Sequence, residues 1–182
     1  RFPSQFPGGV WFVELASVDD AGLVVPAIAH SLSIAEAGAT PLLDRLCAAL
    51  SSTRLLLVLD NFEQVSAAAM EMAVLLRRCK GIKILATSRT PLLLAGEHEY
   101  AVPTLSVPPA AASIPVQAGG GLMKYESVEL FVARVRQHQP DFVVTVENAE
   151  WISSVCRRLD GIPLAIELAA AALRRMAVER LA

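Results

Sequence analysis

The segment that most constrains this chain is Leu55-Leu56-Leu57-Val58-Leu59, an unbroken apolar run that ends on a carboxylate, Asp60. Apolar residues without alternation predict a strand buried on both faces, as in a parallel sheet. Parallel strands are joined by crossovers, most often helical, and the sequence supplies them on both sides of the run. Upstream, Val10 to Ala16 follows Gly8-Gly9 and reads as a strand. Ala21 to Leu32 and Thr40 to Leu50 then show helical spacing, the second with Thr40 as N-cap and Pro41 at the first helical position. Downstream, Glu63 to Lys80 places Val65, Ala69, Met72, Leu76 and Cys79 on one face. Glu63 complements the positive end of that helix, Arg77, Arg78 and Lys80 the negative end, and Gly81 stops it. Lys83 to Thr87 predicts another buried strand, running into Ser88-Arg89, and Tyr100 to Leu105 the next. Strands alternating with helices predict an α/β unit built on a parallel sheet.

The pattern changes at Val107, where Pro108, Pro109, Pro115 and Gly119-Gly120-Gly121 lie among alanines without apolar period. Beyond this linker the reading is helical. Glu126 to His138 turns Val128, Phe131, Val132 and Val135 inward, Val146 to Leu159 turns Ala149, Ile152, Cys156 and Leu159 inward, and a third helix starts near Pro163. The expected organisation is a partial α/β core over 1–106, a linker over 107–124 and a small helical domain over 125–182. Arg1 opens the chain without an initiator Met or a leader, and Ala170 to Ala182 has no stop signal, so an internal piece of a longer protein is expected.

Composition narrows the function classes. A chain that is 54% hydrophobic fills a core easily, yet the apolar stretches Leu55–Leu59 and Leu164–Leu173 are short or interrupted by Glu167. A membrane span needs about 20 apolar residues, so none is expected. The net charge of −2, with scattered basic residues, argues against direct nucleic-acid binding by this segment. Cys47, Cys79 and Cys156 stand far apart, without C-x-x-C or Cys/His pairing, and read as buried thiols in a reducing cytosol, with neither a metal nor a disulfide role expected of them.

In an open parallel sheet the ligand-facing groups gather at the carboxyl ends of the strands. Asp60 and Thr87-Ser88-Arg89 stand at such ends. A carboxylate closing an apolar strand is costly to bury unless a cation pairs with it, and magnesium asks for only one or two carboxylates beside phosphate oxygens and water. Arg89 would then reach a terminal phosphate as a positive fork. The alternatives are that Asp60 caps the following helix with Asn61, and that Arg89 belongs to a surface turn, Ser88-Arg89-Thr90-Pro91.

Four segments carry a resemblance in their order and spacing: Gly9-Val10-Trp11-Phe12-Val13-Glu14-Leu15-Ala16, Leu55 to Glu63, Leu85-Ala86-Thr87-Ser88-Arg89, and Leu159-Asp160-Gly161-Ile162-Pro163-Leu164 continuing to Ala170. Together they resemble the nucleotide-binding domain of STAND-class P-loop ATPases, related to the NB-ARC domain, as found in bacterial multidomain transcriptional regulators of the LuxR/AfsR type. The resemblance implies a P-loop NTPase-like sheet with flanking helices followed by a small helical domain, ATP/ADP and Mg as cofactors, and a switch in which nucleotide bridges the two parts. It implies that Asp60 is the Walker B aspartate on magnesium, that Arg89 is the sensor arginine with Thr87 and Ser88 beside it, and that Pro163 packs on adenine. Asn61 stands where many relatives have a second acid; Glu63 is the substitute, and slow hydrolysis is implied. The implied partners are nucleotide, other domains of the parent chain and, on activation, further copies of the protein.

No G-x-x-x-x-G-K-S/T occurs in the sequence, and Gly119-Gly120-Gly121-Leu122-Met123-Lys124-Tyr125 lacks both the Ser or Thr and a preceding strand. In the family the phosphate loop and its strand come before the Gly9-Val10 segment, so the resemblance implies that both are missing here. The competing reading is a non-catalytic interaction scaffold on a degenerate NTPase fold. A phospho-receiver reading, with Asp60 as acceptor, fails because this chain has no acidic pair at an earlier strand end and no lysine ending Tyr100 to Leu105, and a dinucleotide oxidoreductase reading fails because no G-x-G-x-x-G follows any strand.

Overall fold

The structure, a computed structural model, describes residues 5–35, 38–110 and 121–173. The chain divides into two compact units, Arg1–Tyr100 and Ala101–Ala182. The expected linker residues 111–120 and the end of the third helix beyond 173 lie outside the described residues.

The first unit is α/β. Strands β1 (Val10–Glu14), β2 (Leu56–Asp60) and β3 (Lys83–Ala86) form a parallel sheet in the order β1-β2-β3. Val10 pairs with Leu56 and Glu14 with Asp60, while Leu56 pairs with Lys83 and Leu59 with Ala86. Helices α1 (Val24–Ser31) and α2 (Leu42–Leu50) connect β1 to β2, and α3 (Ala69–Arg78) connects β2 to β3. Trp11, Val13, Leu57, Leu59, Ile84 and Ala86 point to one face, where they join Ile28, Leu46, Met72 and Leu75 in a single core. An ion pair between Arg78 and Asp44 ties α3 to α2 at its rim.

Several sequence expectations are corrected here. The central strand is not buried on both faces: Leu57 and Leu59 are, but Leu56 and Val58 are half-exposed, and Val10, Phe12 and Leu85 beside them are exposed. The helices of this unit contribute their buried side chains to one face only, the face of Trp11, Val13, Leu57, Leu59, Ile84 and Ala86. The helix expected over Glu63 to Lys80 is broken. Phe62–Ala68 forms a 3-10 segment with Val65 out of helical geometry (φ −119°, ψ 30°), and α3 begins only at Ala69. Phe62 and Val65 are both buried, the Phe62 amide is taken by the Thr87 carbonyl, and the kink at Val65 separates this segment from α3. Leu75, rather than Leu76, is the fully buried leucine of α3. Pro41 has extended geometry (ψ 139°) and stands as N-cap of α2, so Thr40 lies one residue outside.

The second unit packs α4 (Glu126–Arg136), α5 (Val146–Arg158) and α6 (Pro163–Ala172) around Val128, Phe131, Val132, Val135, Ile152, Cys156 and Ile166. Phe131 makes edge contacts with Trp151 and Phe142, at centroid distances of 5.8 and 6.5 Å. Arg134 donates from Nε (3.0 Å) and Nη2 (2.7 Å) to Glu167, joining α4 to α6. The strand expected over Tyr100 to Leu105 is absent. The amide of Leu105 is spent on the carbonyl of Gly161 (2.9 Å), and Ser106 caps α4 through reciprocal bonds with Glu126 (3.0 and 3.1 Å). Tyr100 and Val102, which made the segment look like a strand, are exposed. Leu122, placed by sequence in the linker, is buried in this helical core.

Gly161 makes that docking possible. It follows Asp160 at the end of α5 with φ +67°, and a Cβ there would lie 2.1 Å from the Leu105 carbonyl oxygen. Only glycine combines this left-handed conformation with so close an approach of backbone to backbone. Gly81 is required in the first unit for a similar reason, because a Cβ would meet the Thr53 carbonyl at 2.3 Å. Among the described residues, no helix is long and apolar enough to cross a membrane.

Candidate functional site

Parallel pairing brings the carboxyl ends of β2 and β3 together, and the side chains that leave them interlock. Asp60 closes β2, and Thr87 follows β3 directly opposite it. The Thr87 hydroxyl donates to Asp60 Oδ1 at 2.5 Å and accepts from the Asn61 amide at 3.0 Å. The Thr87 backbone is held as well, its amide donating to the Leu59 carbonyl (3.0 Å) and its carbonyl accepting from the Phe62 amide (2.9 Å). One threonine thus fixes the carboxylate, the turn after it and the start of the 3-10 segment.

Asn61 allows the chain to turn there. It sits in the left-handed region (φ 63°, ψ 46°), a conformation asparagine tolerates better than most residues, and caps nothing with its side chain. The expected alternative, in which Asp60 and Asn61 cap a helix, is therefore not what these side chains do. Asp60 Oδ2 accepts no hydrogen bond among the described residues, so the half-buried carboxylate retains a free oxygen for a cation.

Glu63 and Arg89 also meet. Glu63 Oε1 lies 3.3 Å from Arg89 Nε, with the Arg89 side chain 88% exposed and that of Glu63 20% exposed. The contact is made at the Nε of a guanidinium whose side chain is otherwise largely exposed. Ser88 is occupied locally, its hydroxyl donating to the Thr90 carbonyl (2.7 Å) and accepting from the Thr90 amide (3.2 Å). The turn expected at Ser88-Arg89-Thr90-Pro91 is present, with Arg89 on it. Beyond it, the Glu97 carboxylate accepts from the amides of Leu92 (2.9 Å) and Leu94 (3.0 Å), which hold its pKa below the usual glutamate value.

Glu14 was not singled out from sequence. Parallel register places it opposite Asp60, so a row Glu14, Asp60, Thr87 crosses the three strands at their carboxyl ends. The signal was available only as a guess about register: an acid four residues into one strand against an acid at the end of the next. Among the described residues, no group of three or more His, Cys, Asp and Glu gathers to hold a metal ion. A magnesium ion borne mainly by phosphate and water requires no such group. Pro163 opens α6 in the second unit, at the first helical turn where its missing N–H costs nothing, and is exposed.

The chain is 37% identical over 174 residues to a protein of Mycobacterium tuberculosis (strain ATCC 25618 / H37Rv) named "Putative HTH-type transcriptional regulator". That match covers 95% of this chain and 18% of the relative, and a protein of the same name in Mycobacterium bovis matches to the same extent. This chain is similar to a segment of these regulators. It spans under a fifth of their length. An uncharacterized protein of Mycobacterium tuberculosis is 36% identical over 168 residues, covering 92% of this chain and 39% of the relative. No family model matches the chain, and no solved structure matches it.

Proposed function

We propose that this chain is part of a nucleotide-controlled switch in a transcriptional regulator, with Asp60 holding magnesium on ATP or ADP. The observation that carries the reading is the Thr87-to-Asp60 hydrogen bond at the carboxyl ends of two adjacent parallel strands, which orients a carboxylate and leaves one oxygen available. Magnesium bound there would take one protein oxygen and complete its shell with phosphate and water. Glu14, opposite Asp60 in register, adds negative charge that favours a divalent cation at this edge. Arg89 supplies the group that distinguishes a terminal phosphate, with Glu63 holding its Nε edge. Thr87 acts as an orienting residue and Ser88 shapes the turn that carries Arg89. The similarity to regulators supports a role in transcriptional control.

Asn61 offers an amide where a base would be needed, and Glu63 is already paired. A switch read by binding, with little hydrolysis, suits these residues better than a fast ATPase. Asn61 and the absence of a G-x-x-x-x-G-K-S/T sequence within these 182 residues favour a second reading, a scaffold without nucleotide chemistry. Calorimetry on the full-length protein separates the two. Magnesium-dependent ATP binding that loses its magnesium dependence in Asp60→Ala, with circular dichroism unchanged, supports the switch. Binding whose magnesium dependence survives the substitution removes Asp60 from the site, and absence of any binding leaves the scaffold.

A further inference from the structure

Two of the three cysteines meet in the first unit, and nothing in the proposed switch uses them. Cys47 lies on α2 and Cys79 is the residue that ends α3; both are buried. The Cys79 thiol donates to the Cys47 carbonyl at 3.3 Å, a contact between the two cysteines that is buried in the core between α2 and α3. The third, Cys156, belongs to the separate core of the second unit. Helix packing therefore selects one pair out of three cysteines that sequence spacing left unrelated.

Their surroundings favour a pair that stays reduced until the structure opens. Burial pushes the Cys79 thiol up, and the neighbouring Cys47 adds to the shift, while Arg78 opposes it. The Arg78–Asp44 ion pair spans the same two helices next to the thiols. Cys79 has already left helical geometry (φ −118°, ψ 85°) and is followed by the exposed Lys80 and the Gly81 turn. Cys79 thus lies at the exit of α3, where the chain turns toward β3.

We propose that Cys47 and Cys79 form a reversible disulfide that pins α2 to the end of α3. The oxidant is a low-molecular-weight disulfide. The Cys79 thiolate attacks one of its sulfurs, forming a mixed disulfide and releasing one small thiol; the Cys47 thiolate then attacks Cys79 Sγ and releases the second. Two electrons pass from the protein thiols to the oxidant, and the two protons end on the released thiols. The bond closes a loop that contains all of β2 and the turn after Asp60, restricting the segment that carries the candidate site.

The test is peptide mapping of the intact, folded protein incubated with oxidised glutathione, alkylated and digested with trypsin without reduction. The expected product joins the Leu46–Arg54 peptide to the Cys79-Lys80 dipeptide, with a mass about 2 Da below the sum of the two. Dithiothreitol should reverse it, and Cys47→Ser should leave only a glutathione adduct on Cys79. Both cysteines recovered alkylated from folded protein, when a urea-unfolded control oxidises, would overturn the proposal. So would separate glutathione adducts on the two cysteines of the native sequence, or linkage only between molecules. A circular dichroism spectrum unchanged by oxidant establishes that the bond formed in the fold.

Discussion

Replacing Gly161 by alanine should destabilise the helical unit out of proportion to the single methyl added. The new Cβ would stand 2.1 Å from the Leu105 carbonyl oxygen, 3.0 Å from its carbon and 3.2 Å from its nitrogen. All three atoms are backbone, so no side chain can swing aside. Holding a non-glycine residue at φ +67° costs about 1–2 kcal/mol. Moving the 105 segment away sacrifices the Leu105-to-Gly161 hydrogen bond, worth about 0.5–1.5 kcal/mol. Together these predict a loss of about 2–3 kcal/mol. With a urea dependence of about 1 kcal/mol per M for a unit of this size, the midpoint should fall by about 2–3 M. Trp11 lies in the first unit and Trp151 in the second, so Trp151 emission in a Trp11→Phe background follows the helical unit alone. Gly96→Ala in the first unit, followed by Trp11 emission in a Trp151→Phe background, is the control: it is also left-handed (φ 84°) but has nothing within 4 Å, so it should show only the conformational cost. A Gly161→Ala midpoint within about 0.5 M of the native sequence would refute the account of why glycine stands there.

Arg89→Ala in the full-length protein should weaken ATP binding about tenfold or more and ADP binding little, because a guanidinium fork matches a terminal phosphate; equal losses would return Arg89 to a surface turn. Glu97 supplies a pH dependence with a defined sign. Its folded pKa is depressed by the Leu92 and Leu94 amides, so its contribution is complete above the unfolded value of about 4.3 and disappears as pH falls through the lower folded value. The Leu92 and Leu94 amide shifts should therefore titrate with a midpoint below about 4.3, and a midpoint at or above it would contradict the two hydrogen bonds.

The sequence by itself determined the elements whose signal is local. The apolar run into Asp60 and the spacing of Val128, Phe131, Val132 and Val135 predicted β2 and the buried face of α4, because an unbroken apolar run and a helical period are each properties of a single segment. The interaction between Asp60 and Thr87 was partly legible, since two buried strands ending in polar residues put those residues at one edge once they pair in parallel. Which hydroxyl would take which oxygen was not.

Tertiary structure decided the rest, in each case through a partner distant in sequence. Tyr100 to Leu105 has the composition of a strand, but Leu105 finds its hydrogen-bond partner in Gly161 and Ser106 finds Glu126, so the segment joins the helical unit instead. The Phe62 amide is held by the Thr87 carbonyl and the chain kinks at Val65, so the helix that spacing alone would have started at Glu63 begins only at Ala69. Register set Glu14 beside Asp60, and packing of α2 on α3 set Cys47 beside Cys79. A residue's own segment specifies its helical or extended preference, whereas its neighbours across space depend on register and packing angle. Those are settled only when the hydrophobic faces close on one another.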